Sequence, residues 1–355
     1  MNDNESSYSI RFEHPQIIKE KNEFINKKNK IFNKKIYNIY IIILFLIFLI
    51  FIKNYNHIYI FKNKHYDINF KYDEYDKNII TDKIKRESGW ILVEREANFI
   101  NGLIRKYKPK NCLEIGVANG GSSILILNAI KDIKNSFLVS LDLNEQLFTD
   151  PTKKTGYKVY EKFPELTKHW KLFTGDQPHK FLMKLNKKFD FLFLDTAHIT
   201  PGEIINFIEA LPFLNENAIL VLHDIIWHFG HKSQIKFYPS SIYLMPAIYG
   251  EKFFLGNYNG EINSMGAVFL YPHQENHYFD YFLLLLNFWE YMPNESQIKD
   301  LRIFIKKYYE KDIYLNIFNR AVLENKESIN RFKQANISIN NYKNIMINLG
   351  NNYIY

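Results

Sequence analysis

Between residues 112 and 222, short apolar runs alternate with stretches of helical character, and this alternation constrains the fold more than any other feature. Residues 112–117, 137–141, 172–173, 189–194 and 218–222 read as strands. Residues 122–130 and 178–185 read as helices between them. Thr200-Pro201-Gly202-Glu203 reads as a capping box with proline at the first helical position, opening a helix to about Leu211. Such alternation predicts a doubly wound α/β fold, a mostly parallel sheet with helices on both faces. Two further candidate strands, 252–255 and 267–271, bring the expected sheet to seven. A helix is expected over 90–107, ended by Pro109. C-terminal helices are expected over 278–291, 296–309 and 312–323.

Ligands of such sheets lie beyond the carboxyl ends of the strands. The first strand ends in Leu113-Glu114-Ile115-Gly116-Val117-Ala118-Asn119-Gly120-Gly121-Ser122, a glycine-rich turn that opens a helix. Gly116 and Gly120 let the backbone approach a ligand closely, and Ser122 begins the helix. The spacing is G-x-x-x-G-G, not the G-x-G-x-x-G of dinucleotide sites, and it suits a ligand without a pyrophosphate. Asp142 follows Glu114 by 28 residues, at the tip of the second strand. A carboxylate there can accept both hydroxyls of a ribose. Gly175-Asp176 follows the third strand, placed to meet an adenine edge.

With these residues in view, the stretch over about 88–272 resembles the class I S-adenosylmethionine (SAM) dependent methyltransferases, with their Rossmann-like seven-stranded sheet. In that resemblance LEIGVANGGS carries the methionine-binding turn, LVSLDL the ribose acid and FTGD the adenine contact. Glu114, Gly116, Gly120, Gly121, Ser122, Asp142, Asp176 and Asp195 are the implied cofactor-binding residues. Asp195-Thr196-Ala197-His198 after the fourth strand and His223-Asp224 after the fifth are similar to a narrower branch. That branch holds metal-dependent O-methyltransferases of sugars and small molecules, including cephalosporin-hydroxylase-like proteins. Two departures stand out. Ala118 replaces the commonest middle glycine of the turn, and Asn215-Glu216-Asn217 replaces the usual Gly-Gly before the fifth strand.

The chemistry accounts for the residue types. Methyl transfer from a sulfonium is an in-line displacement, so alignment supplies much of the acceleration. An alcohol is a poor nucleophile until its proton is taken. Asp195 and Asp224, at the ends of neighbouring strands, are expected to converge on one Mg²⁺ or similar divalent cation, which would orient the acceptor hydroxyl and lower its pKa. His198 or His223 is the expected general base. Trp227, His228, Phe229 and His231 are expected to wall the acceptor pocket.

Charge and composition set the context. One cysteine, Cys112, excludes an internal disulfide framework and a multi-cysteine zinc site, and its place in an apolar run makes it a core residue. Residues 1–62 hold ten Lys or Arg against five acids, which leaves only +3 of the net +8 on the rest of the chain. A basic nucleic-acid face is therefore not expected. Residues 36–52, IYNIYIIILFLIFLIFI, form an apolar run of 17 residues without a following cleavage site. At about 25 Å long it reads as a single-pass membrane anchor. Seven Lys before it against four after it place the body across the membrane from the N-terminus, a thin margin that leaves sidedness open.

The expected organisation is a basic tail (1–35), the anchor (36–52), a stalk (53–87), the methyltransferase domain (88–272), a helical extension (273–325) and an Asn- and Ile-rich tail (326–355). The expected activity is membrane-anchored, SAM-dependent O-methylation of a sugar hydroxyl, another glycan acceptor or a small alcohol. The alternative is a catalytically silent, membrane-tethered binding or scaffold module.

Overall fold

The computed structural model describes residues 70–88, 92–225, 240–255 and 264–334. The expected anchor at 36–52 and the loop residues Trp227, His228, Phe229 and His231 lie outside the described residues. Among those described, no helix is long and apolar enough to cross a membrane.

Two 3₁₀ turns, Tyr72–Glu74 and Lys77–Ile79, lead into α1 (Asp82–Ser88) and α2 (Glu94–Tyr107). Then come β1 (Asn111–Ile115), α3 (Gly121–Ile130), β2 (Phe137–Asp142), a small hairpin of β3 (Gln146–Leu147) and β4 (Asp150–Lys154), and α4 (Tyr157–Lys162). β5 (Trp170–Thr174), α5 (Pro178–Leu185), β6 (Phe189–Leu194), α6 (Gly202–Ala210) and β7 (Leu214–Leu222) complete the alternation. α7 (Ser240–Ala247), β8 (Gly250–Phe254), β9 (Gly266–Leu270), α8 (Tyr278–Leu283), α9 (Glu295–Tyr308) and α10 (Asp312–Gln334) follow.

The main sheet has seven strands in the order β5-β2-β1-β6-β7-β9-β8. β1, β2, β5, β6 and β7 pair in parallel, while β9 runs antiparallel to both β7 and β8. The order reverses direction at β1, so a crevice opens beyond the ends of β1 and β6. The central strands read as nearly continuous apolar runs because helices cover both faces. Phe191, Leu192, Phe193 and Leu194 of β6 are all fully buried. Asp190 is the polar exception in β6. Its carboxylate accepts the backbone N–H groups of Lys110 and Asn111 and the side-chain amide of Asn215. That knot ties the starts of β1, β6 and β7 together. It also accounts for the departure at 215–217: Asn215 supplies a donor, and Asn217 takes the left-handed backbone (φ +64°) that glycine would otherwise provide.

Three expectations need correction. Residues 71–87 are not a free stalk. Tyr72 is buried, its hydroxyl is 2.7 Å from that of Tyr107, and Arg95 pairs with Asp73 at 2.6 Å. Gly102 permits this packing, because a Cβ there would stand 1.7 Å from the Tyr72 carbonyl oxygen. The segment lacks helical periodicity because its contacts come from short 3₁₀ turns.

The residues after 273 are likewise not an appendage. Trp289, Phe304 and Phe318 are buried in the same core as Leu192 and Leu220. The helix expected over 278–291 stops at Leu283 and gives way to a 3₁₀ turn, and the Trp289 N–H is then taken by the Asn325 side chain. α10 continues to Gln334, past the expected end at 323.

Finally, Thr200 does not cap α6. The helix begins at Gly202 with no side-chain cap, the Thr200 hydroxyl donates to the Phe288 carbonyl, and Glu203 turns towards His198.

Candidate active site

A cleft of about 520 Å³ opens at the carboxyl ends of β1, β2 and β6. Gly116, Val117, Ala118, Asn119, Gly121 and Ser122 form one wall. Gly116 (φ +93°) has no room for a side chain, since a Cβ would meet the Asp195 carbonyl oxygen at 1.7 Å. Gly120 shares that backbone conformation but does not line the cleft. It sits against Val159 and Gly156, so its role is packing. Ala118 also takes a left-handed conformation, at φ +48°.

Asp142 lines the cleft and holds the turn in place. Its Oδ2 accepts the N–H groups of Val117 and Ala118 at 2.9 and 3.1 Å, and its Oδ1 accepts that of Asn144 at 2.8 Å.

Glu114 and Asp176 stand elsewhere. Glu114 is 0% exposed and lies beneath the turn, not in the cleft. It is opposite Ser140 in the β1–β2 register, so the pleat turns both to the same face. Its carboxylate accepts the hydroxyls of Ser122, Ser123 and Ser140 at 2.6, 2.6 and 2.5 Å. Burial pushes the carboxyl up to about 7, against the pull of those three donors. Asp176 is half-buried, is not part of the cleft wall, and pairs with Lys180 at 3.0 Å. Its neighbours Gln177 and Pro178 face the cleft instead. The Gln177 Oε1 is buried without a hydrogen-bond partner.

At the β6 and β7 ends, four side chains converge. The ligand-type atoms of Asp195, His198, His223 and Asp224 all lie within 4.8 Å of one another. His198 Nε2 stands 3.3 Å from Asp195 Oδ1 and 3.1 Å from Asp224 Oδ2. His223 Nδ1 stands 3.3 Å from Asp195 Oδ1 and 3.5 Å from Asp224 Oδ1. Asp195 and His198 line the cleft, whereas His223 and Asp224 lie behind them. His198 and Asp224 both hold left-handed backbone, at φ +54° and +53°. Strain of this kind collects where side chains must be aimed.

The electrostatics follow from burial and pairing. Burial opposes the imidazolium of His198, but Glu203, Asp195 and Asp224 outweigh it and push its pKa up to about 9. His223 is raised well above the usual histidine range on the same balance, with Asp195 the strongest favourable partner. Burial would raise Asp195, but His223 and His198 hold it below the usual carboxylate range. In Asp224 burial prevails and its carboxyl is raised. The three carboxylates around His198 thus favour its protonated form.

Several residues in or behind the cleft carry no local signal of a site. Glu203 Oε1 accepts the His198 N–H at 2.7 Å and stands 3.1 Å from His198 Nδ1, off the direction of a hydrogen bond. Thr196 donates to Asn206, Asn206 to Glu209, and Glu209 lies 2.6 Å from the buried His179. Tyr291, Pro293, Gln297 and Leu301, from α9 and the segment before it, close the cleft on that side.

The sequence of residues 113–225 matches a family model described as a methyltransferase domain. No curated protein matches the chain. Among solved structures it is similar to the O-methyltransferase TomG from Streptomyces achromogenes in complex with SAM, at 13% identity over 54% of this chain and 90% of that one, TM-score 0.42. It is also similar to an O-methyltransferase from Bacillus cereus in complex with S-adenosylhomocysteine (SAH), at 15% identity, 54% and 90% coverage and TM-score 0.41. A third is the SAH-bound methyltransferase PaMTH1 of Podospora anserina, at 19% identity, 54% and 88% coverage and TM-score 0.39.

Proposed function

We propose that the class I SAM-dependent methyltransferase domain carried by this chain methylates a hydroxyl of a sugar or other small alcohol, with a divalent cation held by Asp195, His198, His223 and Asp224. The observation that carries this reading is the convergence of those four side chains, two of which line a cleft that the glycine turn also lines.

Within the cleft, the turn at 116–122 would take the amino-acid end of SAM, Asp142 the ribose and Gln177 the adenine edge. Gln177 Oε1 is a buried acceptor in want of a donor, which an exocyclic amine supplies. Asp142 spends three of its acceptor positions on backbone and so presents a rigid rim.

The donor set fits a cation. Two carboxylates and two imidazoles surround one point, and the positive charge now carried by the two raised histidines is what a metal ion would replace. Two nitrogen donors favour a borderline ion such as Mn²⁺ over Mg²⁺. When bound, such an ion polarises an acceptor hydroxyl and lowers its pKa. On this reading His198 and His223 are ligands. Glu203, behind His198, holds its backbone N–H and sets negative charge beside the ring. The wall of Asn206, Glu209, Tyr291 and Gln297 offers the hydrogen-bonding groups that a polyhydroxylated acceptor needs. Residues 36–52 would tether the domain to a membrane.

The test is incubation of the purified full chain with methyl-labelled SAM and a fractionated glycan and metabolite extract, with and without EDTA. Label in an alkali-stable ether, lost at least tenfold on chelation and restored by Mn²⁺, supports the proposal. Turnover indifferent to EDTA removes the cation, and no transfer to any fraction favours a silent binding module. Release of the chain from membranes by carbonate would remove the anchor.

A further inference from the structure

Glu96 lies in α2, outside the span that matches the methyltransferase family model, yet it is built into the cation cluster. It sits in the first turn of the helix, where its Oε2 accepts the Val93 N–H at 3.2 Å. A carboxylate in that position ordinarily faces water. Glu96 is 3% exposed, and its Oε1 takes the N–H of Ser264, just ahead of β9, at 2.8 Å. Its Oε2 also stands 3.4 Å from His223 Nε2. So three separate parts of the chain meet on one carboxylate: the start of α2, the approach to β9 and the end of β7.

A carboxylate accepts hydrogen bonds, so the His223 nitrogen that faces Glu96 must carry the hydrogen. The other nitrogen, Nδ1, then faces Asp195 and Asp224 at 3.3 and 3.5 Å. In a neutral ring this would aim a lone pair at two carboxylate oxygens. The arrangement is repulsive unless positive charge lies between them.

We propose that Glu96 is a positioning residue: by holding the Nε2–H of His223 it turns Nδ1 towards Asp195 and Asp224 and makes that atom a ligand for a divalent cation. The proposal rests on the cation reading of the cluster. A carboxylate behind a ligating imidazole fixes its tautomer and orientation, and losing such a partner typically costs 10–100-fold in metal affinity.

The experiment uses the full chain, labelled with ¹⁵N at histidine, and reads the ring tautomer of His223 from long-range ¹H–¹⁵N spectra before and after Zn²⁺. The His223 signal is identified by its loss in His223→Gln. The expected result is that metal displaces hydrogen from Nδ1 and shifts that atom, while Nε2 keeps its hydrogen throughout. Hydrogen kept on Nδ1, with Nε2 responding to metal, overturns the proposal, and this reading needs no variant of Glu96. In parallel, Mn²⁺ affinity of the wild type and of Glu96→Gln is measured by calorimetry, with SAH affinity as a check on the fold. The expected result is a 10–100-fold loss of Mn²⁺ affinity in Glu96→Gln with SAH binding within twofold. Equal Mn²⁺ affinity in the two proteins overturns the role of Glu96 and leaves the cation site standing. A wild type that binds no Mn²⁺ overturns both.

Discussion

Gly116 and Asp195 touch through their backbones. A Cβ on residue 116 would lie 1.7 Å from the carbonyl oxygen of Asp195, whose side chain is one of the four converging groups. The glycine turn and the cluster of two aspartates and two histidines are therefore one construction. β1 and β6 are adjacent strands, and the Asp195 N–H donates to the Ile115 carbonyl at 3.0 Å, which fixes how the two strand ends meet.

Gly116→Ala should accordingly cost more than an ordinary glycine substitution. The left-handed backbone alone costs about 1–2 kcal/mol for an L side chain, and the clash is with backbone that has nowhere to go. Urea denaturation should show at least about 3 kcal/mol of destabilisation. A variant as stable as the wild type would mean that the two strand ends are not in contact.

Ala118 presents the opposite case. It holds φ +48° with a Cβ where glycine would be unstrained. Ala118→Gly relieves about 1–2 kcal/mol in the folded chain and gives back about 0.4–1 kcal/mol through the greater freedom of the unfolded one. The expected net effect is a stabilisation of about 0.5–1 kcal/mol, read as a higher urea midpoint at unchanged slope. A lower midpoint would contradict the strain.

Glu114 gives the molecule a pH dependence. Its folded carboxyl is raised to about 7, above the 4.5 of an ordinary glutamate. A raised acid favours the folded state fully below the unfolded value and loses that advantage as pH rises through the folded value. Stability should therefore fall between pH 4.5 and 7, by up to about 3 kcal/mol from this group. Glu114→Gln keeps the shape, and the surrounding serine hydroxyls can rotate to meet the amide. It should abolish that slope. Denaturation midpoints of the two proteins that run parallel from pH 4.5 to 8 would remove the assignment.

Much of this fold was legible in the sequence because the central strands are buried on both faces and spell uninterrupted apolar runs. The expected bounds of β6 and α5, 189–194 and 178–185, are those observed. What escaped did so for physical reasons. The packing of Tyr72 and Ile80 depends on short turns that leave no period in the sequence. Glu114 was legible as a strand-end acid, but which face of the pleat it took was not, and it turned to three serines beneath the cleft. At the β5 end the polar side chain that lines the cleft is Gln177, one position beyond Asp176, where the chain bends into α5. Glu96 is separated from His223 by 127 positions, so nothing local could mark it.

The central claim is that the cleft between the glycine turn and Asp195 is a SAM site with Asp142 on its rim. Calorimetric titration of SAH into the purified full chain tests it most directly. One site is expected, with affinity at least tenfold weaker in Asp142→Ala, which frees the turn as well as removing the acid. An absence of SAH binding by the wild type, or an affinity untouched by Asp142→Ala, would contradict it.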